Sequence, residues 1–253
     1  LGDVYKRQEY TTKKEILEGI ADLAEKYKAP VYTHNSESES EVAQCIERTK
    51  VTPTVYMDRL GIFNYGGGFY HCVHMTQNDL DIVKEHNISV ITNPASNLKL
   101  ASGIAPIDHM LKEGINLAIG TDGPASNNCL DMFREMFLVT ALAKYRENDA
   151  SAVDALEVLK MATIGGAKAM NLTDCDVLAE GKEADIIMID LNQPNMQPIH
   201  NIQKNLVYSG SKQNVKLTMV AGKILYENGE FFIGTDAYKI YEKANDIAER
   251  IVK

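Results

Sequence analysis

From Thr12 onward the chain alternates two textures: stretches whose apolar residues recur every three or four positions, and short unbroken apolar runs. The first spacing marks one face of a helix, and the second marks a buried strand. Thr12 with Glu15 carries the signature of a capping box, and Ile16, Ile20, Leu23 and Tyr27 then mark one face of a helix ending before Pro30. A short strand is predicted at 31–34, helices at 41–49 and 54–60, and a second strand at 70–74. Thr76 caps a helix over 79–86, 88–91 is an apolar strand, and a helix over 104–113 stops at Gly114. The strand 117–119 leads into Gly120-Thr121-Asp122, and helices follow at 130–145 and 152–170.

Short strands alternating with amphipathic helices imply a parallel sheet with crossover helices. Four βα units are counted where a complete (β/α)8 barrel has eight. The fold class is therefore α/β, with half of a TIM-like barrel assigned to 9–174. After about Thr173 the texture changes: 184–190, 215–221 and 223–226 are strand-like, and Ala221-Gly222 and Asn228-Gly229 predict tight turns. A small β module is assigned to 175–235 and an amphipathic closing helix to 236–253. No internal repeat or low-complexity tract interrupts the pattern. Residues 1–8 (LGDVYKRQ) do break it. They resemble translated adaptor sequence and are set aside as a non-native leader, with the expectation that the natural protein begins upstream.

The 253 residues, 45% of them hydrophobic, suffice for one large domain or a domain with a smaller partner. A net charge of −9 without any basic cluster argues against nucleic acid as a partner. No apolar run reaches the length of a membrane span. Cys45, Cys72, Cys129 and Cys175 lie far apart with no C-x-x-C pair, which argues against a zinc ribbon or disulfide framework. Reduced thiols in a cytoplasmic protein are the expectation.

In a barrel of this kind, chemistry sits at the C-terminal ends of the strands. The first predicted strand ends in His34, with Glu37 three residues on; the second carries His71; the third runs into Asn93-Pro94-Ala95-Ser96-Asn97; the fourth leads to Asp122. Histidine and aspartate are suitable zinc ligands, and a catalytic zinc keeps one position open for water. Such a zinc lowers the pKa of that water to about 7. Glu37 could then carry the proton from water to the substrate. Singly, each residue has a plainer reading: a hydrogen-bonded strand-end histidine, a helix N-cap at Asp122, a solvated acidic helix start at Glu37, Glu39 and Glu41. In that order on four consecutive strand ends, packing does not explain them. His74 is read as structural support for the rim, His86 as a helix-terminal imidazole, and His109 and His200 as surface residues. The ten methionines read as core filling. Gly66-Gly67-Gly68 precedes a strand rather than opening a helix, so it fails as a phosphate cradle.

These motifs carry a resemblance. Thr33-His34-Asn35-Ser36-Glu37 and Tyr70-His71-Cys72-Val73-His74 resemble the fifth- and sixth-strand motifs of the aminohydrolase branch of the amidohydrolase superfamily. The run from Asn93 to Gly103 is similar to the loop that follows there, and Gly120 to Asn128 to the eighth-strand motif. Glu180-Gly181-Lys182-Glu183-Ala184-Asp185 resembles the entry into the C-terminal part of that family's composite β module. Within the superfamily the long motifs point to 5-methylthioadenosine/S-adenosylhomocysteine deaminases.

The resemblance implies strands 5–8 of the barrel, a single zinc (iron being the alternative), and ligation of that metal by His34 and Asp122. It implies that Glu37 binds and protonates the purine N1, that His71 holds the hydroxide or the tetrahedral intermediate, and that Asp122 accepts the proton of the attacking water. The reaction would be hydrolytic deamination of an adenosine-type purine nucleoside, in a homo-oligomer. The family's first-strand His-x-His ligand pair has no counterpart here, a substrate-contacting histidine expected just before Tyr10 is missing, and Thr92 stands where relatives often have histidine. The 253-residue chain alone is accordingly expected to bind zinc poorly and to show little or no activity. The alternatives are a guanine- or triazine-type aminohydrolase, a non-catalytic homologue retained for assembly, and a plain structural β/α domain.

Overall fold

The computed structural model describes residues 11–252; the leader assigned to 1–8 lies outside the described residues. Strands β1 (Val31–Asn35), β2 (Gly67–His71), β3 (Ser89–Thr92) and β4 (Leu117–Ile119) form a parallel sheet in sequence order. Parallel pairing brings the C-terminal ends of all four to one rim. Helix α1 (Lys14–Tyr27) precedes β1, while α2 (Glu39–Thr49) and α3 (Pro53–Arg59) lead to β2. Helix α4 (Gln77–Glu85) connects β2 to β3, and α5 (Pro94–Lys99) and α6 (Ile107–Lys112) connect β3 to β4. After β4 come α7 (Pro124–Asn127), α8 (Met132–Glu147), α9 (Ala155–Lys160), a π-helical turn Met161–Gly165 and α10 (Gly166–Ala169).

A second, antiparallel sheet contains β5 (Ile186–Ile189), β6 (Val215–Val220), β7 (Lys223–Glu227) and β8 (Glu230–Phe231), with α11 (Ile202–Tyr208) between β5 and β6. Helix α12 (Ala237–Val252) closes the described chain with no buried residue. Among the described residues no helix is long and apolar enough to cross a membrane. The core lies between the parallel sheet and its helices: Phe63 and Phe69 meet edge to face at 4.7 Å amid Met57, Leu80, Val83, Val90 and Met110. Ile189, Val207 and Val215 join the second sheet and α11 to this core.

Several boundaries differ from expectation for identifiable reasons. The capping box expected at Thr12 is not formed, because Lys14 opens α1 and Lys13 takes the N-cap position without a side-chain hydrogen bond. The buried face of α1 is centred on Leu17 and Ala24, with Ile20 and Ala21 against the core, and leaves Ile16, Leu23 and Tyr27 exposed. The inward face combines Leu17 and Ile20 with the small Ala21 and Ala24, and shares only Ile20 with the expected stripe. The second strand runs three residues earlier than expected. Gly67 and Gly68 are its first residues because β1 passes too close for side chains: a Cβ at Gly67 would lie 1.8 Å from the Val31 carbonyl oxygen. The helix expected over 152–170 is broken by the π turn, where Gly165 packs against the Leu117 carbonyl of β4 and accepts a hydrogen bond from Asn116 (3.1 Å). The short helices α5, α7 and α11 were not expected. Pro94 and Pro124 open the first two, and the Asn201 side chain caps the third.

Candidate active site

The rim is built where the strands give way to turns. His34 is the penultimate residue of β1, in register with Tyr70 of β2, and both His34 and Asn35 are buried. At the end of β2 the backbone enters the left-handed region at two successive non-glycine residues, His71 (φ 72°) and Cys72 (φ 50°); Ser36 (φ 50°) and Asp122 (φ 56°) do the same. Such conformations are uncommon for residues with a Cβ and concentrate where function requires the strain. Gly120 is needed just after β4, because a Cβ there would meet the Asn93 side-chain oxygen at 2.4 Å.

Three of the four candidate side chains are in direct juxtaposition. The His34 and His71 rings stack at 5.1 Å with a 28° tilt, and His71 Nε2 faces Glu37 Oε2 at 3.7 Å. His71 is fully buried, and its Nδ1 lies 2.7 Å from Asn97 Oδ1. Since an amide oxygen only accepts, His71 carries its proton on Nδ1, and Nε2 is turned toward Glu37. Glu37 is buried too and accepts a hydrogen bond from Ser102 Oγ at 3.3 Å, unlike exposed Glu39, so the solvated helix start does not describe it. Its backbone N–H donates to the buried Glu41 carboxylate (3.0 Å), which completes a capping box with Ser38. His74 supports the rim as expected, donating from Nε2 to the Ser102 carbonyl (2.7 Å). Cys72, buried beside them, has its thiol pushed well up by burial first and by Asp79 and Glu41 second, so it stays neutral.

Asp122, three residues beyond β4, accepts from Ser96 Oγ (2.6 Å) and from the Gly123 N–H (2.8 Å). Burial pushes its carboxyl up, but the hydrogen bonds from Ser96, Ser126 and Gly123, with the neighbouring His71, outweigh this and hold it below the ordinary carboxylate value. A depressed folded-state pKa contributes stability above the unfolded-state value and loses it as the pH falls through the folded one. Replacing Ser96 with alanine is expected to raise the Asp122 titration midpoint, as read from its carboxyl carbon resonance. An unmoved midpoint would show that the serine contributes nothing.

The donor set fits a zinc ion in kind: imidazole and carboxylate at the ends of neighbouring strands. It does not complete a site by itself, since among the described residues no group of three or more His, Cys, Asp or Glu side chains is placed to hold a metal ion. Ser96, Asn97, Ser102, Glu41 and Glu135 were not singled out as site residues from the sequence. The Asn93-Pro94-Ala95-Ser96-Asn97 motif was a signal for the first two, and Ser38-x-x-Glu41 was one for Glu41. Glu135 reads as an ordinary polar position in a helix.

The parallel β/α sheet thus carries imidazoles and carboxylates on the rim formed by its strand ends. The sequence profile of the Amidohydrolase family matches residues 2–225, and the chain belongs to that family. Among its relatives, the 5-methylthioadenosine/S-adenosylhomocysteine deaminase of Caldanaerobacter subterraneus is 40% identical over 245 residues, covering 96% of this chain and 56% of that protein. An adenosine deaminase from Xanthomonas campestris, solved with bound zinc, superposes with a TM-score of 0.90 at 35% identity, over 96% of this chain and 55% of that one. An atrazine chlorohydrolase from Arthrobacter aurescens, complexed with zinc, gives a TM-score of 0.83 at 25% identity, over 92% of this chain and 52% of that one. The chain spans about half the length of the curated relatives it matches.

Proposed function

We propose that the chain supplies the half of a zinc-dependent deaminase that carries its proton-transfer groups, acting at C6 of an adenosine-type purine nucleoside such as 5-methylthioadenosine or S-adenosylhomocysteine. The observation that carries this reading is the convergence of His34, Glu37 and His71 on one rim, joined to Asp122 through α5, where Asn97 bonds His71 and Ser96 bonds Asp122. The four-stranded sheet then forms half of an eight-stranded barrel, and the second sheet forms part of a small β module.

His34 and Asp122 would hold the zinc ion, with further ligands from the other half of the barrel. When bound, such an ion makes a water molecule acidic enough to act as a nucleophile near neutral pH. Asp122 would serve as the acceptor of a proton from the water that attacks C6. Glu37 donates a proton to N1, so the ring carries no net charge as C6 becomes tetrahedral. His71, fixed by Asn97, presents Nε2 to the oxygen on C6 and orients it. The C6 hydroxyl gives its proton through Glu37 to the leaving amine, the C6–N bond breaks, and Asp122 returns the proton of the water to Glu37, so that ammonia and an inosine-type product leave with both carboxyl groups restored.

The test joins the N-terminal part of the Caldanaerobacter deaminase to this chain at residue 11. With zinc, the joined protein is expected to convert 5-methylthioadenosine or S-adenosylhomocysteine to the inosine-type product, followed by the change in purine absorbance. Preference for guanine or a triazine instead would overturn the substrate assignment. The 253-residue chain with zinc is expected to show no measurable turnover, because two protein ligands fall short of the three that catalytic zinc sites use. Robust deamination by it would contradict the ligand assignment.

A further inference from the structure

We propose that Glu135 is a positioning residue, a buried two-armed acceptor that holds the loops after β3 and β4 in register so that Asn97 meets His71 and Ser96 meets Asp122. Glu135 lies in the first turn of α8, outside the rim, and is fully buried. Its Oε2 accepts the backbone N–H of Ala95 (3.0 Å), and its Oε1 accepts from Asn127 Nδ2 (2.9 Å). Ala95 sits in the first turn of α5, whose amides have no intrahelical partner, and the Asn93 side chain does not cap them. Glu135 therefore caps α5 from another helix. One and two residues further along α5 are Ser96, on Asp122 Oδ2, and Asn97, on His71 Nδ1.

The other arm reaches the second loop. Asn127 Nδ2 also donates to the carbonyl of Thr121 (2.6 Å), the residue before Asp122, while Arg134 Nη2 donates to Asn127 Oδ1. Both groups facing the Glu135 oxygens are donors, and a carboxylate is the side chain that offers two acceptors and no donor. Burial pushes the carboxyl of Glu135 up, against the hydrogen bonds of Ala95 and Asn127 and the nearby Arg134 charge; it is kept in the core at a cost that a plain packing residue would not carry. Asp79, also fully buried, repeats the device: it accepts from the Thr76 N–H (2.8 Å) and Oγ (2.7 Å) and from Thr52 Oγ at the cap of α3.

The significance of the clamp rests on the site proposed above, but its geometry is tested without turnover. In the 253-residue chain, Glu135→Gln keeps the volume and sets an NH2 group against one of the two donors. Amide exchange at Ala95 is expected to speed up about tenfold or more, and the His71 Nδ1–H resonance to shift or broaden. A core variant away from the rim, Val158→Ala, is expected to lower the melting temperature while leaving that resonance in place. An unchanged Ala95 exchange rate and His71 signal in Glu135→Gln, or an equal His71 shift in Val158→Ala, would overturn the proposal. Should Glu135→Gln fail to fold, Asn127→Ala releases one arm only. Faster exchange at 121–123 with Ala95 still protected is then expected, and unchanged exchange at 121–123 overturns the clamp. In the joined protein Glu135→Gln is expected to lower kcat by about 10- to 100-fold at constant KM. If the parent joined protein is itself inactive, the deaminase reading fails while the exchange data still decide the clamp.

Discussion

Glutamine in place of Glu37 is expected to lower turnover of the joined protein by a factor of about 10² to 10⁴, the range that a positioned acid–base group contributes. The substitution keeps the shape of the side chain and leaves an oxygen for Ser102 Oγ, now 3.3 Å from Oε1. What it removes is the capacity to carry a proton between water, N1 and the leaving amine. The loss should therefore fall on kcat, with zinc content and melting temperature close to those of the parent. The surface variant Glu39→Gln, two residues away and exposed, should be silent. If the two variants lose activity equally, Glu37 is an ordinary carboxylate of a helix approach and the proton path lies elsewhere.

The largest structural effect is expected at Gly67. Alanine there would place its Cβ 1.8 Å from the Val31 carbonyl oxygen and 2.8 Å from the Val31 nitrogen, at a φ of 139° that side-chain-bearing residues rarely adopt. Only backbone lines the space, so no side chain can yield, and β1 must move away from β2. The pairs that follow along the ladder include His34 with Tyr70 and Asn35 with His71. Strain of this kind belongs to the small class of substitutions that cost about 4 kcal/mol or more. Gly19, inside α1 with nothing within 4 Å of an added Cβ, provides the opposite case. Gly19→Ala is expected to stabilise by about 0.5–1 kcal/mol through helix propensity. Urea unfolding of the two variants should thus move in opposite directions, and a tolerated Gly67→Ala would mean that β1 does not approach β2 as described.

The parallel sheet was legible because buried strands such as 88–91 and 117–119 are short apolar runs and the crossover helices announce their caps, as Thr76 does with Asp79. The four rim residues were legible for the same reason, since each stands at or just beyond a strand end. What periodicity misses is contact at a distance. The start of β2 at Gly67 is set by the proximity of β1, and the π turn by the approach of Gly165 to Leu117. Neither leaves a local signal. In α1, two stripes of apolar residues share Ile20, and periodicity alone does not decide that the one with Leu17 and Ala24 is buried. Glu135 was invisible because its partners, Ala95 and Asn127, lie forty and eight residues away.

The account stands on His34 and Asp122 belonging to one metal site beside Glu37 and His71. Crystals of the joined protein grown with zinc, with data collected at the zinc absorption edge, test this directly. The account predicts a single anomalous peak bonded to both the His34 imidazole and the Asp122 carboxylate. A peak that contacts neither, or two peaks that divide them, would contradict it.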